Sequence, residues 1–82
     1  MRLQTKKYHQ QSLETSRGYF IRKGFNEITN GVFRDCDRNV DFYPSKKTCY
    51  FYKEKRYEYY GYKEELLKSG FNKKTAEKLA TA

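Results

Sequence analysis

Only nine of the 82 residues are leucine, isoleucine or valine: Leu3, Leu13, Ile21, Ile28, Val32, Val40, Leu66, Leu67 and Leu79. A chain of this length buries roughly two-thirds of the surface its unfolded form exposes. With so few aliphatics, that interior has to be filled by rings, chiefly Phe20, Phe25, Phe33, Phe42, Phe51 and Phe71. Nine tyrosines accompany them, and six fall between Tyr50 and Tyr62, beside Lys53, Lys55 and Arg56. Tyrosine is sheet material whose hydroxyl stays at the surface. Among permanent cations the same rings suit a polyanion with stackable bases.

The formal charge of +8 is attractive to DNA, RNA, anionic membranes and acidic proteins alike. It divides into +5 over residues 1–34, −2 over residues 35–43 and +5 over residues 44–82. Met1 to Gln10 contain no apolar stretch, so neither a secretory signal nor a membrane span is expected, and the reading is a cytoplasmic protein. Cys36 and Cys49 are then expected to be reduced, with an oxidised pair across a sheet left open.

Residues 1–17 read as a polar arm or a short helix around Ser12 to Arg17, and residues 18–82 as a single small domain. Asn30-Gly31 between apolar runs predicts a type I′ turn joining strands over 18–29 and 32–36, with Gly24 a candidate bulge. Ile21, Phe25 and Ile28 are also spaced as one face of a helix, so both readings stand for that segment. A second hairpin is predicted from Val40–Tyr43 and Thr48–Tyr52 around Pro44-Ser45-Lys46-Lys47. Its alternation puts Cys49 and Phe51 on one side and Tyr50 and Tyr52 on the other. Tyr57 to Tyr60 either adds a strand or starts a helix early, and Gly61 marks a break.

The last segment has clear helix punctuation. Glu64 and Glu65 begin, and Lys68 ends, a helix from about Tyr62 to Ser69, each placed favourably for its dipole. Gly70 supplies a left-handed stop followed by apolar Phe71, and Asn72 caps a second helix from Lys73 towards Ala80. The expected fold is therefore α+β: a three- or four-stranded antiparallel sheet rich in aromatics, followed by a short C-terminal helical pair.

The run from Glu65 to Leu79, with its glycine turn, apolar residue, polar cap and Thr75-Ala76, resembles the helix-turn-helix units of bacterial and phage DNA-binding proteins. In that family the second helix enters the major groove. The resemblance implies that Asn72, Lys73, Lys74, Thr75 and Lys78 face the groove or its phosphates. Lys73 and Lys74 sit at the positive end of the helix dipole, an arrangement an anionic partner would offset.

Other chemistries fail on spacing. Asp35-Cys36-Asp37-Arg38-Asn39-Val40-Asp41 starts like a calcium loop but has Val40 and Lys46 where glycine and glutamate are required. Its carboxylates are expected to cap turns instead. Two cysteines and the single His9 do not make a zinc set. There is no nucleophile elbow and no phosphate loop. Asp35, Asp41 and Glu54 are the one conceivable nuclease metal set, at unspecific spacing. No catalytic residue, metal or cofactor is assigned.

The expected function is non-enzymatic nucleic-acid binding, DNA ahead of RNA, in a regulatory or accessory protein of phage or mobile-element type. The binding residues would be Lys46, Lys47, Tyr50, Tyr52, Lys53, Lys55 and Arg56 on the strands, and the helical set already named. The rival class is a phage-type inhibitor docking on a host nucleic-acid-processing or defence complex, in the manner of anti-CRISPR proteins. Tyr and Arg are enriched at such protein surfaces too.

Overall fold

The computed structural model describes residues 16–81. The polar segment expected over residues 1–17 lies almost wholly outside the described residues. Residues 16–22 are helical (α1). Five strands follow, β1 (Asn26–Thr29), β2 (Val32–Asp35), β3 (Val40–Tyr43), β4 (Thr48–Phe51) and β5 (Arg56–Glu58), and then helices α2 (Tyr62–Lys68) and α3 (Lys73–Thr81). The strands form one antiparallel meander in the order β1-β2-β3-β4-β5. The α+β class holds, with five strands where three or four were expected. The two outer strands come from the segments that also read as helix, 18–29 and Tyr57 to Tyr60, and β5 is only three residues long.

The expected strand over 18–29 is divided. Its first part is the end of α1, and only Asn26–Thr29 joins the sheet. Gly24, read as a bulge, is the stop of α1. It has φ +92°, its N–H donates to the Ile21 carbonyl, and the Phe25 N–H donates to the Phe20 carbonyl. Those are the paired bonds of a Schellman motif. Gly70 repeats them at the end of α2, with φ +99° and N–H groups of Gly70 and Phe71 donating to Leu67 and Leu66. The bulge lies instead between Glu27 and Thr29. Of the two turn residues Asn30 and Gly31, only Gly31 has positive φ (80°), so the turn is not type I′. The Glu27 carboxylate accepts the Gly31 N–H and reshapes the connection.

The three remaining hairpins share one design. Their loops, residues 36–39, 44–47 and 52–55, are each four residues long and end in a left-handed residue: Asn39 (φ 57°), Lys47 (φ 51°) and Lys55 (φ 54°). The expected turn through Pro44 to Lys47 is among them, closed by the Lys46 N–H on the Tyr43 carbonyl at 3.0 Å. The acidic run from Asp35 to Asp41 is not a loop throughout. It is a hairpin with Asp35 on β2 and Asp41 on β3. Asp35 does cap its turn, accepting the Asp37 N–H at 3.1 Å.

Register separates the two faces. Phe33 pairs with Phe42, Phe42 with Cys49, and Val40 with Phe51, which puts these side chains on one face. The helices cover that face, adding Phe20, Tyr62, Leu66, Phe71, Ala76 and Leu79 to a single core. Phe20 sits at its centre: its ring stacks on Phe33 at 4.8 Å and meets Phe25, Phe42 and Phe71 within 5.5 Å. Cys49 lies in this core and Cys36 in an exposed loop, both as free thiols, so the cross-sheet pair left open by the sequence does not form.

Two polar clamps fix the helices to the sheet. Arg17 of α1 grips the Glu27 carboxylate through Nε and Nη2 at 2.9–3.1 Å. That contact, with the Gly31 N–H behind it, holds the Glu27 carboxyl below its ordinary range. Arg38, from the β2–β3 loop, reaches the end of α2, donating to the Glu65 carbonyl at 2.9 Å, to Ser69 Oγ at 2.8 Å and to the Glu65 carboxylate. A cation there also complements the helix dipole.

Because Glu65 is buried, replacing Arg38 by Met should cost about 3 kcal/mol, as a buried charge loses its main partner. Arg38→Met with Glu65→Leu should recover most of that loss, so a double-mutant cycle by urea unfolding should return a large coupling energy. Alkali gives a second test. Burial pushes the Cys49 thiol from about 9 up to about 12, and the Tyr62 phenol far above its usual 10. Both raised values mean stability is complete below the unfolded pKa values and lost as pH rises through them. Unfolding free energy should be level to about pH 9, then fall by up to ~1.4 kcal/mol per unit for each group. Tyr62 Oη has no hydrogen-bond partner, so Tyr62→Phe should keep neutral-pH stability and flatten the decline above pH 10.

Candidate nucleic-acid interface

The second face of the sheet is covered by none of the described elements. Across its middle, neighbouring strands place Asn26, Arg34, Asp41, Tyr50 and Tyr57 in one row. The pattern runs from hydrogen-bonding groups at β1 to rings at β5. Tyr57 is the hub of the ring half, with centroids 4.5 Å from Tyr50, 5.9 Å from Tyr59 and 6.4 Å from Tyr43. Tyr57 is 50 % exposed, Tyr59 63 % and Tyr60 96 %, while Tyr43 and Tyr50 are half-buried supports. Burial, then the neighbouring Tyr57, raises the Tyr43 phenol above its ordinary pKa, so it stays neutral.

The other half of the row is internally committed. Arg34 donates to both oxygens of buried Asp41, at 2.7 and 3.0 Å, and lies 3.9 Å from the centre of the Tyr52 ring. The bond to Asp41 raises the Arg34 pKa further, so this cation is permanent. Tyr52 Oη donates to Asn39 Oδ1 at 3.0 Å. The expected split of Tyr50 and Tyr52 from Cys49 and Phe51 is therefore present, but the Tyr52 ring already carries a guanidinium. Asp41 is a structural counter-ion here and not a turn cap.

The strand cations fall into two groups. Lys46, Lys53 and Lys55 are exposed and make no ion pair among the described residues. Lys47 folds back, its Nζ donating to the Pro44 carbonyl at 2.7 Å, and burial lowers its pKa. Arg56 points to the covered side of the sheet edge, 4.4 Å over Phe51 and between Glu54 and Glu58. Meander topology puts Lys53 and Lys55 at the end of the sheet where β5 starts, and Lys46 at the end towards which Tyr59 runs. Free cations thus bracket the exposed rings.

The helical set lies on the opposite side, because α3 packs Ala76 and Leu79 into the covered face. Lys73, Lys74 and Lys78 are exposed there. Asn72 caps α3 as expected, its Oδ1 accepting the Thr75 N–H at 2.8 Å. Thr75 is half-buried beside Tyr19, Arg22 and Lys23 of the α1 end, lining a shallow cleft with Gly70 and Phe71.

The exposed Tyr57-Tyr59-Tyr60 series belongs to the tyrosine-rich stretch expected to suit stackable bases, but none of the three was among the individual binding residues expected from the sequence. Its signal was the odd-numbered alternation of Tyr57 and Tyr59 after a third four-residue turn. Asp35, Asp41 and Glu54 do not converge: Asp35 faces the core side, Asp41 the opposite side and Glu54 a loop. Among the described residues no three of His, Cys, Asp and Glu gather as a metal group, and His9 lies outside them. No described helix is long and apolar enough to cross a membrane. No family model, curated protein or solved structure matches this chain.

Lys55 offers a way to separate loop charge from loop shape. A left-handed conformation costs a non-glycine residue about 1 kcal/mol, so Lys55→Gly should raise stability by about that much while removing one cation. Lys55→Val should lower it. Thermal unfolding of the two variants checks the sign.

Proposed function

We propose that this protein is a small, non-enzymatic nucleic-acid-binding module with a regulatory or accessory role. The supporting observation is the placement of uncommitted cations, Lys46 at one end and Lys53 and Lys55 at the other, around a solvent-facing row of tyrosines on a chain of charge +8. Phosphates need cations without internal partners, and these three have none among the described residues. DNA is favoured over RNA by the resemblance of residues 65–79 to helix-turn-helix units. On that reading Lys73, Lys74 and Lys78 add a separate phosphate contact on the far side of the molecule.

Affinity for a short DNA strand should fall linearly with log salt, with a slope near −2 if the three loop lysines each meet one phosphate, at ~0.7 per contact. Lys46→Glu with Lys53→Glu should abolish binding at moderate salt and leave the fold intact. Lys73→Glu with Lys74→Glu measures the helical contribution separately, and at a helix N-terminus should keep or slightly raise stability. Absence of binding to any DNA or RNA at low salt would overturn the reading. The exposure of Tyr60, at 96 %, favours one second reading, a protein-docking surface on a nucleoprotein complex. A partner retained from lysate after nuclease treatment would support it.

A further inference from the structure

Resting on that reading, we infer that the tyrosine face takes single-stranded nucleic acid with its bases splayed out, using Tyr57 and Tyr59 as the stacking pair. In a duplex, bases are stacked at about 3.4 Å per step and show the protein only their edges. The Tyr57 and Tyr59 ring centres are 5.9 Å apart with planes 22° from parallel. These near-parallel, stacked rings form an aromatic surface that an unpaired base can join through its face, which a base inside a duplex does not offer.

The surroundings suit such an occupant. Tyr57 is held from behind by Tyr50 and Tyr43, so its orientation is set by packing while half of it stays exposed. Tyr59 follows two residues later on the same side. The backbone beyond it is pinned by the Glu58 carboxylate, which accepts the Tyr60 and Gly61 N–H groups at 3.2 Å. The two nearby acids, Glu54 and Glu58, are engaged by Arg56 on the covered side of the strand. A strand laid along β5 therefore passes from Lys53 and Lys55, over two rings, towards Lys46. Tyr52 is excluded as a platform because Arg34 occupies its ring.

The test uses the full chain and fluorescence anisotropy with three DNA probes: a short strand of thymidines, its duplex with deoxyadenosines, and an abasic strand of equal length. The thymidine strand should bind roughly 10- to 100-fold more tightly than the abasic strand, the range expected for one or two stacked bases. Whatever affinity the duplex has through its phosphates or groove should not depend on Tyr57 and Tyr59. Tyr57→Leu with Tyr59→Leu should remove the preference for bases, keep the residual phosphate-driven binding, and leave the thermal midpoint nearly unchanged, since both rings are at least half exposed. Equal affinity for thymidine and abasic strands, or a double variant that keeps its preference, would overturn this inference while nucleic-acid binding itself stood. Failure of all three probes and of their RNA counterparts to bind at low salt would remove both.

Discussion

The ring of Phe20 joins the two halves of this molecule. It comes from the helix that precedes the sheet, lies flat on Phe33 of β2, and meets Phe71 from the turn between the last two helices. Three segments far apart in the chain therefore share one contact. With so few aliphatic side chains, no alternative cluster of comparable size is available, and dispersion and burial of these large rings provide most of the cohesion. Everything on the opposite face is free to be polar because the covered face carries this cluster.

That division explains the distribution of charge. Arg17, Arg34, Arg38 and Arg56 all work within the fold, holding Glu27, Asp41, Glu65 and the Glu54–Glu58 pair. Planar guanidinium groups suit two-point contacts with carboxylates. Lys46, Lys53 and Lys55 of two turns and the lysines of α3 are left in solvent. The net positive charge is thus largely a lysine charge, on flexible stems and well hydrated, suited to phosphate contact without fixed geometry. The sheet's edges are protected as well: β1 is polar and bulged, and β5 is three residues long with charged Arg56 and Glu58 at its two ends.

Much of this was legible from local grammar. Asn72, Gly70 and the Glu-rich first turn marked the helical pair, and alternation between Cys49, Tyr50, Phe51 and Tyr52 identified the two faces of β4. The same grammar occurs at Gly24, where Gly-Phe-Asn repeats the Gly70-Phe71-Asn72 stop, but the apolar run Tyr19-Phe20-Ile21 looked like a strand. Ile21 and Ile28 are in fact substantially exposed, so hydrophobicity there misreports burial. The commitments of Tyr52 to Arg34 and of Arg56 to Phe51 are cross-strand contacts, and that of Lys47 is a bond within its own turn; none has a signature in spacing. They separate an apparent patch of seven binding residues into members with internal partners and members without one among the described residues.

The four-residue loops have a consequence for how the chain can vary. Because each loop has an even length, core positions change parity at every turn: odd numbers on β2, even on β3, odd on β4, even on β5. A slip of one residue in the pairing of β3 with β4 would turn Tyr50 inward and Cys49 and Phe51 outward, so the apolar pattern and the turns have to agree on register. Within these loops the side chains are not equivalent: Arg38 and Tyr52 make contacts outside their own turns, and Asn39, Lys47 and Lys55 hold a left-handed backbone, while Ser45, Lys46 and Lys53 are exposed. Among descendants of this sequence, Ser45, Lys46 and Lys53 should drift freely, while Arg38 and the left-handed positions 39, 47 and 55 stay restricted.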